Sequence, residues 1–280
     1  MYFIGFDLAW GDRRPTGLAV LDEDGRLVHL STHPTDEAIR TALAAYVEGP
    51  CLVAIDAPLV VRNATGNRPC EAALNRDFAR FDAGAHPANT GKPEFATRPR
   101  GARLAESWGL DLDPESSADR RAIEVYPHPA TVALFRLGRT LKYKNKTGRP
   151  LEQLRAELLQ LTGHLDGLAH AEPPMLLQGS EEWTALVADI EGAQRKSELR
   201  RAEDQVDAVV CAYVALHSLR RPERTTVYGD LATGYIVTPS LPEGHVPIGH
   251  VAEPHPGERV HSTTPFTMAA RSATAAGRAL

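Results

Sequence analysis

The chain opens with a short apolar segment that ends on a single carboxylate. Residues 3–10, Phe-Ile-Gly-Phe-Asp-Leu-Ala-Trp, predict a buried strand with Asp7 at its tip, and a second apolar strand is predicted over residues 16–21. A carboxylate at the tip of a buried strand is costly unless another group balances its charge. We therefore expect the rest of the chain to supply further carboxylates and, through them, a divalent metal.

The next hundred residues predict the centre of an α/β domain. The Asp-Gly pair at residues 24–25 lies between apolar runs, which is typical of a hairpin, and a third strand is predicted over residues 26–31. Residues 35–48 have the apolar spacing of a helix. Residues 51–55 then predict a strand buried on both faces, which leads directly to Asp56. The order of elements is β-β-β-α-β.

The remaining residues add a further strand, a long helix and two insertions. A strand over residues 121–126 carries Glu124, the longest helix is predicted over residues 202–220, and residues 226–238 predict a short β segment. The predicted organisation is a single domain over residues 1–240, with an irregular insertion at 60–120, a helical insertion at 138–200 and an extended or mobile tail at 241–280.

Composition excludes several classes of protein. The chain has 280 residues, a net charge of −5 and only three cysteines, which are widely spaced. These features argue against a protein that coats nucleic acid non-specifically, a disulfide scaffold and a zinc ribbon. No apolar run approaches the length of about 18 residues that a membrane span needs, and we see no signal peptide. We expect a cytoplasmic protein without a membrane partner.

Five carboxylates stand out by their positions. Asp7, Asp56 and Glu124 each lie within or at the end of a predicted strand. Asp204 and Asp207 are three residues apart, and this spacing puts both on one face of the predicted helix. The residues that continue this face are apolar, so we expect it to pack against the sheet. The five carboxylates are therefore predicted to converge on one point.

Convergence of carboxylates predicts a metal centre. Several neighbouring carboxylates do not all remain ionised without a cation, and hard oxygen ligands favour Mg²⁺ or Mn²⁺. Two such ions activate a water and stabilise the leaving oxygen when a phosphodiester is hydrolysed. Each carboxylate alone has a simpler interpretation, as a turn residue, a helix cap or an edge-strand residue, and only the combination points to a metal.

Four motifs follow one another along the chain. They are Gly-Phe-Asp-Leu-Ala at 5–9, Ile-Asp-Ala-Pro-Leu at 55–59, Glu-Val-Tyr-Pro-His-Pro-Ala at 124–130 and Asp-Gln-Val-Asp-Ala-Val-Val-Cys-Ala at 204–212. In this order they resemble the motifs of the domain-of-unknown-function family numbered 429, whose members are predicted RNase H-like nucleases. The Glu-Val-Tyr-Pro-His-Pro motif is the most specific, and the resemblance covers about residues 2–240.

The resemblance implies a ribonuclease H-like fold, in which a five-stranded mixed sheet has its first three strands antiparallel and helices on both faces. In that superfamily, acids on the first strand, the fourth strand and the final helix bind the metals. By position these are Asp7, Asp56 and Asp207, with Asp204 as a fourth, similar to Holliday-junction resolvases. Glu124 lies in an insertion at which members of the superfamily differ.

Other residues are candidates for contact with substrate. His128 follows Glu124 by four residues and is predicted to move a proton or contact phosphate, although a structural hydrogen bond is an alternative. Residues 136–149 are basic without any acid, and Tyr143 within them is a candidate to stack on a base; a solvated loop is the alternative. The predicted phosphate-binding residues are Lys142, Lys144, Lys146 and Arg200.

Three functions remain open from the sequence. The first is a Mg²⁺- or Mn²⁺-dependent nuclease that hydrolyses DNA, RNA or a smaller phosphoester. The second is a nucleotide-binding phosphotransferase of actin-like fold, although the turn at residues 11–15 has one Gly and a Pro and is poor in phosphate-binding N–H groups. The third is a non-catalytic module in which the carboxylates bind a structural ion or cap helices.

Overall fold

A mixed five-stranded sheet forms the centre of the structure, a computed structural model that describes residues 1–11 and 15–248. Its strands are β1 (Tyr2–Asp7), β2 (Thr16–Leu21), β3 (Leu27–His33), β4 (Cys51–Ile55) and β5 (Arg120–Glu124). Their spatial order is β3-β2-β1-β4-β5. β1, β2 and β3 are antiparallel neighbours, while β4 and β5 run parallel to β1. The predicted five-stranded mixed sheet is confirmed.

Seven α-helices and a second hairpin surround this sheet in the described part of the chain. The helices are α1 (Asp36–Val47), α2 (Pro69–Phe78), α3 (Arg100–Ser107), α4 (Pro127–Phe135), α5 (Leu151–Gly167), α6 (Glu181–Gly192) and α7 (Lys196–Arg220), and the hairpin strands are β6 (Thr225–Asp230) and β7 (Gly234–Pro239). The long helix α7 begins six residues before the predicted start at residue 202. Glu198 accounts for the earlier start, because its carboxylate accepts hydrogen bonds from the Gln194 and Arg195 amides at the helix N-terminus. None of the helices described is long and apolar enough to cross a membrane.

Helix α7 lies directly on β1 and β2, and two glycines permit this close approach. A Cβ at Gly5 would overlap the carbonyl oxygen of Ala208, and a Cβ at Gly17 would overlap that of Asp204. Side chains alternate along a strand, so Asp7 lies on the same face as Gly5, and it pairs with Gly17 across the ladder. The glycines therefore bring the acidic part of α7 close to the tip of β1.

The opposite face of the sheet is covered by α1 and α3. Tyr2 of β1 makes an edge-to-face contact with Tyr46 of α1, with ring centroids 5.1 Å apart. Phe6 of β1 stacks on Trp108 at the end of α3, with ring centroids 6.0 Å apart. The side chains of Tyr2 and Phe6 lie on one face of β1, and that of Asp7 lies on the other. The expectation of helices on both faces of the sheet is confirmed.

The predicted tail lies partly within the described residues. His245 stacks on Phe81 with ring centroids 5.0 Å apart, and the Ile248 amide donates to the carbonyl oxygen of Gly138. Residues 241–248 therefore lie against the domain. Residues 249–280 of the predicted tail, and residues 12–14 of the first turn, lie outside the described residues.

The Gly17→Ala substitution is expected to destabilise the domain by about 1–3 kcal/mol, because the added methyl group pushes α7 away from β2. Urea unfolding measures the change. Gly163→Ala is the matched control, because Gly163 lies in α5 where a new Cβ meets nothing within 4 Å. The free energy of unfolding of the control is expected to increase by about 1 kcal/mol, because alanine has a higher helix propensity than glycine. Equal unfolding midpoints for the two variants would contradict the proposed role of Gly17.

Candidate functional site

Asp7 and Asp56 lie side by side where β1 and β4 end. The Asp56 amide donates to the carbonyl oxygen of Phe6 at 2.9 Å, which continues the parallel ladder that pairs Gly5 with Ala54. Because side chains alternate along each strand, both carboxylates lie on the face that α7 covers. The structure thus brings together the two strand-tip carboxylates that the sequence singled out.

Helix α7 adds Asp204 and Asp207 to this cluster. Asp207 is fully buried, and the Tyr143 hydroxyl donates to its Oδ1 at 2.6 Å. The Lys144 ammonium contacts Asp207 Oδ2 and lies 3.5 Å from Asp7 Oδ2. Asp204 and Asp7 line the same cleft. A single lysine therefore bridges the tip of β1 and the acidic turn of α7.

Burial and mutual repulsion keep protons on this cluster. Burial raises the pKa of Asp7 to about 6; Lys144 opposes the increase and Asp207 adds to it. Burial, with Asp7 as the next contribution, raises the pKa of Asp204 to about 8 and that of Asp56 well above its ordinary value. The single positive charge of Lys144 therefore does not balance the negative charge that these carboxylates would carry if all were ionised near neutral pH.

Lys144 itself remains charged. Burial alone would lower the pKa of its ammonium group, but the carboxylates of Asp207 and Asp7 raise it well above the ordinary value for lysine. Glu203, which sequence reasoning missed, precedes Asp204 in α7, and both side chains line an open cleft that is described below. Burial raises the pKa of Glu203 to about 7. One ammonium group is therefore shared among several buried acids.

Strand register directs the Glu124 side chain away from this cluster, although its charge still adds to the raised pKa of Asp56. It pairs with Ile55 in the parallel ladder, so its side chain points to the face opposite Asp56. There Arg68 donates to both of its carboxylate oxygens, one of them at 2.9 Å, and the Leu59 amide donates at 2.8 Å. Arg68 also pairs with Glu71 at 2.9 Å. The geometry assigns Glu124 to a buried ion network and gives its predicted metal role no support.

Arg68→Met is expected to cost about 3–5 kcal/mol of stability, because it leaves two carboxylates buried without a counter-charge. The Arg68 side chain is 1% exposed, and so is that of Glu71. Arg26→Met is the matched control; its ion pair with Asp24 is more than half exposed, and the expected cost is below about 1 kcal/mol. Chemical denaturation measures both variants, and a similar small loss in each would refute the network's structural role.

An open cleft of about 720 Å³ lies over the cluster. Of the predicted phosphate-binding residues, Lys144, Lys146 and Arg200 line this cleft. Lys142 does not, because its ammonium pairs with Asp82 at 2.8 Å. The prediction that Tyr143 stacks on a base is wrong: its ring is 1% exposed and its hydroxyl is bound to Asp207.

His128 also lines the cleft. Its Nδ1 lies 3.1 Å from the Thr140 hydroxyl, and its ring contacts those of Tyr126 and Tyr143. Burial lowers the pKa of His128 to about 4, so the imidazole is neutral near pH 7. Both alternatives for this residue are visible in the structure: it makes a structural hydrogen bond and still faces the cleft.

The acidic cluster suits a hard divalent cation by its chemistry. Asp7, Asp204 and Asp207 supply carboxylate oxygens, the ligands that Mg²⁺ and Mn²⁺ prefer. Within residues 1–11 and 15–248, however, no three His, Cys, Asp or Glu side chains are already arranged as a metal cage. The Lys144 ammonium contacts carboxylate oxygens of Asp7 and Asp207.

The chain belongs to a family described as "Protein of unknown function (DUF429)", whose model matches residues 5–233. The match confirms the family resemblance seen in the four sequence motifs, and the matched span contains Asp7, Asp56, Glu124, Asp204 and Asp207. The description of the family assigns no activity. No curated protein and no solved structure gives a significant match to the chain.

Proposed function

We propose that this chain is a divalent-metal-dependent phosphodiesterase that acts on nucleic acid through the Asp7 cluster. The observation that carries the proposal is the convergence of two strand-tip carboxylates and two helix carboxylates around a single positive charge. The Arg68 network also has more carboxylates than positive charges, but protein N–H groups donate to both of its carboxylates. The Asp7 cluster has a similar excess of carboxylate and opens to a cleft, which favours a site that a more highly charged cation completes.

Asp7, Asp56 and Asp207 are the residues that would hold Mg²⁺ or Mn²⁺, with Asp204 as a fourth. When bound, such ions lower the pKa of a water molecule and neutralise charge on the scissile phosphate. Tyr143 orients Asp207 by donating a hydrogen bond to Oδ1, so that Oδ2, which contacts the Lys144 ammonium, would be the oxygen available to a cation.

The cleft walls supply groups that suit a phosphate backbone. Lys146 and Arg200 line the cleft with Lys144 and would bind phosphate oxygens. His128 is neutral at pH 7, and its imidazole at the cleft wall can hydrogen-bond a water molecule or a phosphate oxygen. DNA and RNA both fit this arrangement, and a smaller phosphoester is the alternative substrate.

The three cysteines are buried and free, which supports a location of the protein in the reducing cytoplasm.

Nothing in the described part of the chain specifically favours the phosphotransferase alternative. The turn that would have to cradle nucleotide phosphates includes residues 12–14, which lie outside the described residues. The non-catalytic alternative shares the carboxylate cluster and differs from the proposal only in lacking turnover, so activity measurements separate the two.

Asp7→Asn and Asp207→Asn are each expected to weaken Mn²⁺ binding and to lower phosphodiester hydrolysis by about 10²–10³-fold, because each removes a charged ligand from the site. Calorimetric Mn²⁺ titration and a panel of DNA, RNA and bis(4-nitrophenyl) phosphate substrates measure the two effects. Asp189→Asn on the exposed side of α6 is the matched control and is expected to behave as wild type. Turnover that survives both cluster substitutions would refute the proposal.

Mn²⁺ binding is expected to strengthen as pH rises from about 5.5 to 8 and to release protons. The sign follows from the raised pKa values of Asp7, about 6, and Asp204, about 8, because a cation must displace protons that these acids still hold below those values. For the same reason, stability of the metal-free protein should fall as pH rises from about 4 to 8. Calorimetry in two buffers of different ionisation enthalpy counts the protons, and pH-independent affinity would contradict the assignment.

A further inference from the structure

We propose that Lys144 is a built-in counter-ion that holds the place of the metal and moves into the cleft, toward substrate phosphate, when a divalent cation binds. This inference rests on the proposed function. It adds that the Lys144 ammonium has two positions, one on the carboxylates without metal and one in the cleft with metal. The sequence predicts Lys144 only as a phosphate contact, and the structure adds its contacts with Asp7 and Asp207.

The contacts of Lys144 place its charge where a metal would bind. Its ammonium contacts Asp207 Oδ2 and lies 3.5 Å from Asp7 Oδ2, so it joins the same two elements that a metal would join. An ammonium group and a divalent cation repel each other and compete for the same carboxylate oxygens. Binding of the cation therefore requires the ammonium to leave.

The structure gives the ammonium a place to go. The Lys144 side chain is 25% exposed and lines the open cleft, whereas Asp207 beneath it is fully buried. Lys146 and Arg200 line the same cleft. A phosphate that approaches the cluster would meet these two groups and a displaced Lys144 together, so the movement converts an internal counter-ion into a phosphate contact.

The backbone around Lys144 is held in place, which confines the movement to its side chain. The buried Tyr143 ring and its hydrogen bond to Asp207 fix the preceding residue. Arg149 donates to the carbonyl oxygens of Lys142 at 3.3 Å and Lys144 at 2.8 Å. Lysine has a flexible four-carbon stem with rotatable bonds, so its ammonium can change partners while the loop stays fixed.

Two properties of the chain follow from this competition. Without metal, Lys144 stabilises the fold by balancing Asp207. With metal, Lys144 opposes cation binding and favours substrate binding. A lysine that served only as a structural partner of Asp207 would show the first property and not the second.

Lys144→Met tests the inference, with Lys146→Met as the matched control. Lys146 lines the same cleft and is exposed. We expect Lys144→Met to bind Mn²⁺ about tenfold more tightly than wild type, as expected for loss of a competing, partly buried ion pair. Its melting temperature without metal should fall, and the increase on adding Mn²⁺ should exceed that of wild type. Lys146→Met should leave both quantities unchanged.

A second measurement uses the wild-type chain and does not depend on whether the variant folds. Amine labelling followed by mass spectrometry is expected to show Lys144 reacting slowly without metal and several-fold faster with saturating Mn²⁺, while Lys146 reacts equally in both. If wild type binds Mn²⁺, but Lys144→Met binds it no more tightly and Lys144 labelling does not change, this inference fails and the proposed function stands. If wild type binds no Mn²⁺, both fail.

Discussion

The close packing of α7 on β1 and β2 is the constraint on which the candidate site depends. Gly5 and Gly17 leave no side chain between the sheet and the helix backbone at Ala208 and Asp204. Because the helix lies so close, its acidic turn meets the tip of β1 and not open solvent. The convergence of carboxylates thus follows from a backbone contact, and larger residues at these two positions would separate the halves of the site.

Two charged networks, one around Arg68 and one around Lys144, point to opposite faces of the same sheet. Comparing them shows why the first is interpreted as structural and the second as the candidate site. On one face, Arg68 is buried with Glu124 and Glu71, and its donors are matched to their oxygens. On the other face, one lysine serves several acids whose pKa values are raised, and a cleft opens over them. Backbone amides complete the hydrogen bonds of the first network, whereas the second lies at an open cleft.

The sequence predicted the parts of this arrangement that local patterns encode. The strands that end in Asp7 and Asp56 follow from apolar runs bounded by turns, and the spacing of Asp204 and Asp207 places both on one helical face. The face of the sheet on which the Glu124 side chain lies could not be predicted. It depends on the pairing register of β5 with β4, and a shift of one residue would move every side chain of β5 to the other face.

Tyr143 and Lys144 mark a second limit of prediction from sequence. Their basic segment has the composition of a solvated loop or a phosphate-binding loop, yet both side chains are bound to Asp207, more than 60 residues away in the chain. Such a contact depends on how α7 and the loop pack together, which no local pattern specifies. The early start of α7 is a third case: Glu198 caps the helix, but the N-cap is Arg195 and not one of the Ser, Thr, Asp or Asn residues that mark a helix start in a sequence.

The charge distribution of the cleft narrows the class of ligand that completes it. An anion alone would be repelled by the carboxylates at the base of the cleft, and a cation alone would displace Lys144 toward Lys146 and Arg200, which carry the same charge. A divalent cation together with a phosphate satisfies both layers: the cation balances the acids at the base, and the phosphate balances the displaced lysine and the basic groups at the cleft wall. This pairing of charges is the reason for proposing a metal-assisted reaction on a phosphoester and not the binding of either ion by itself.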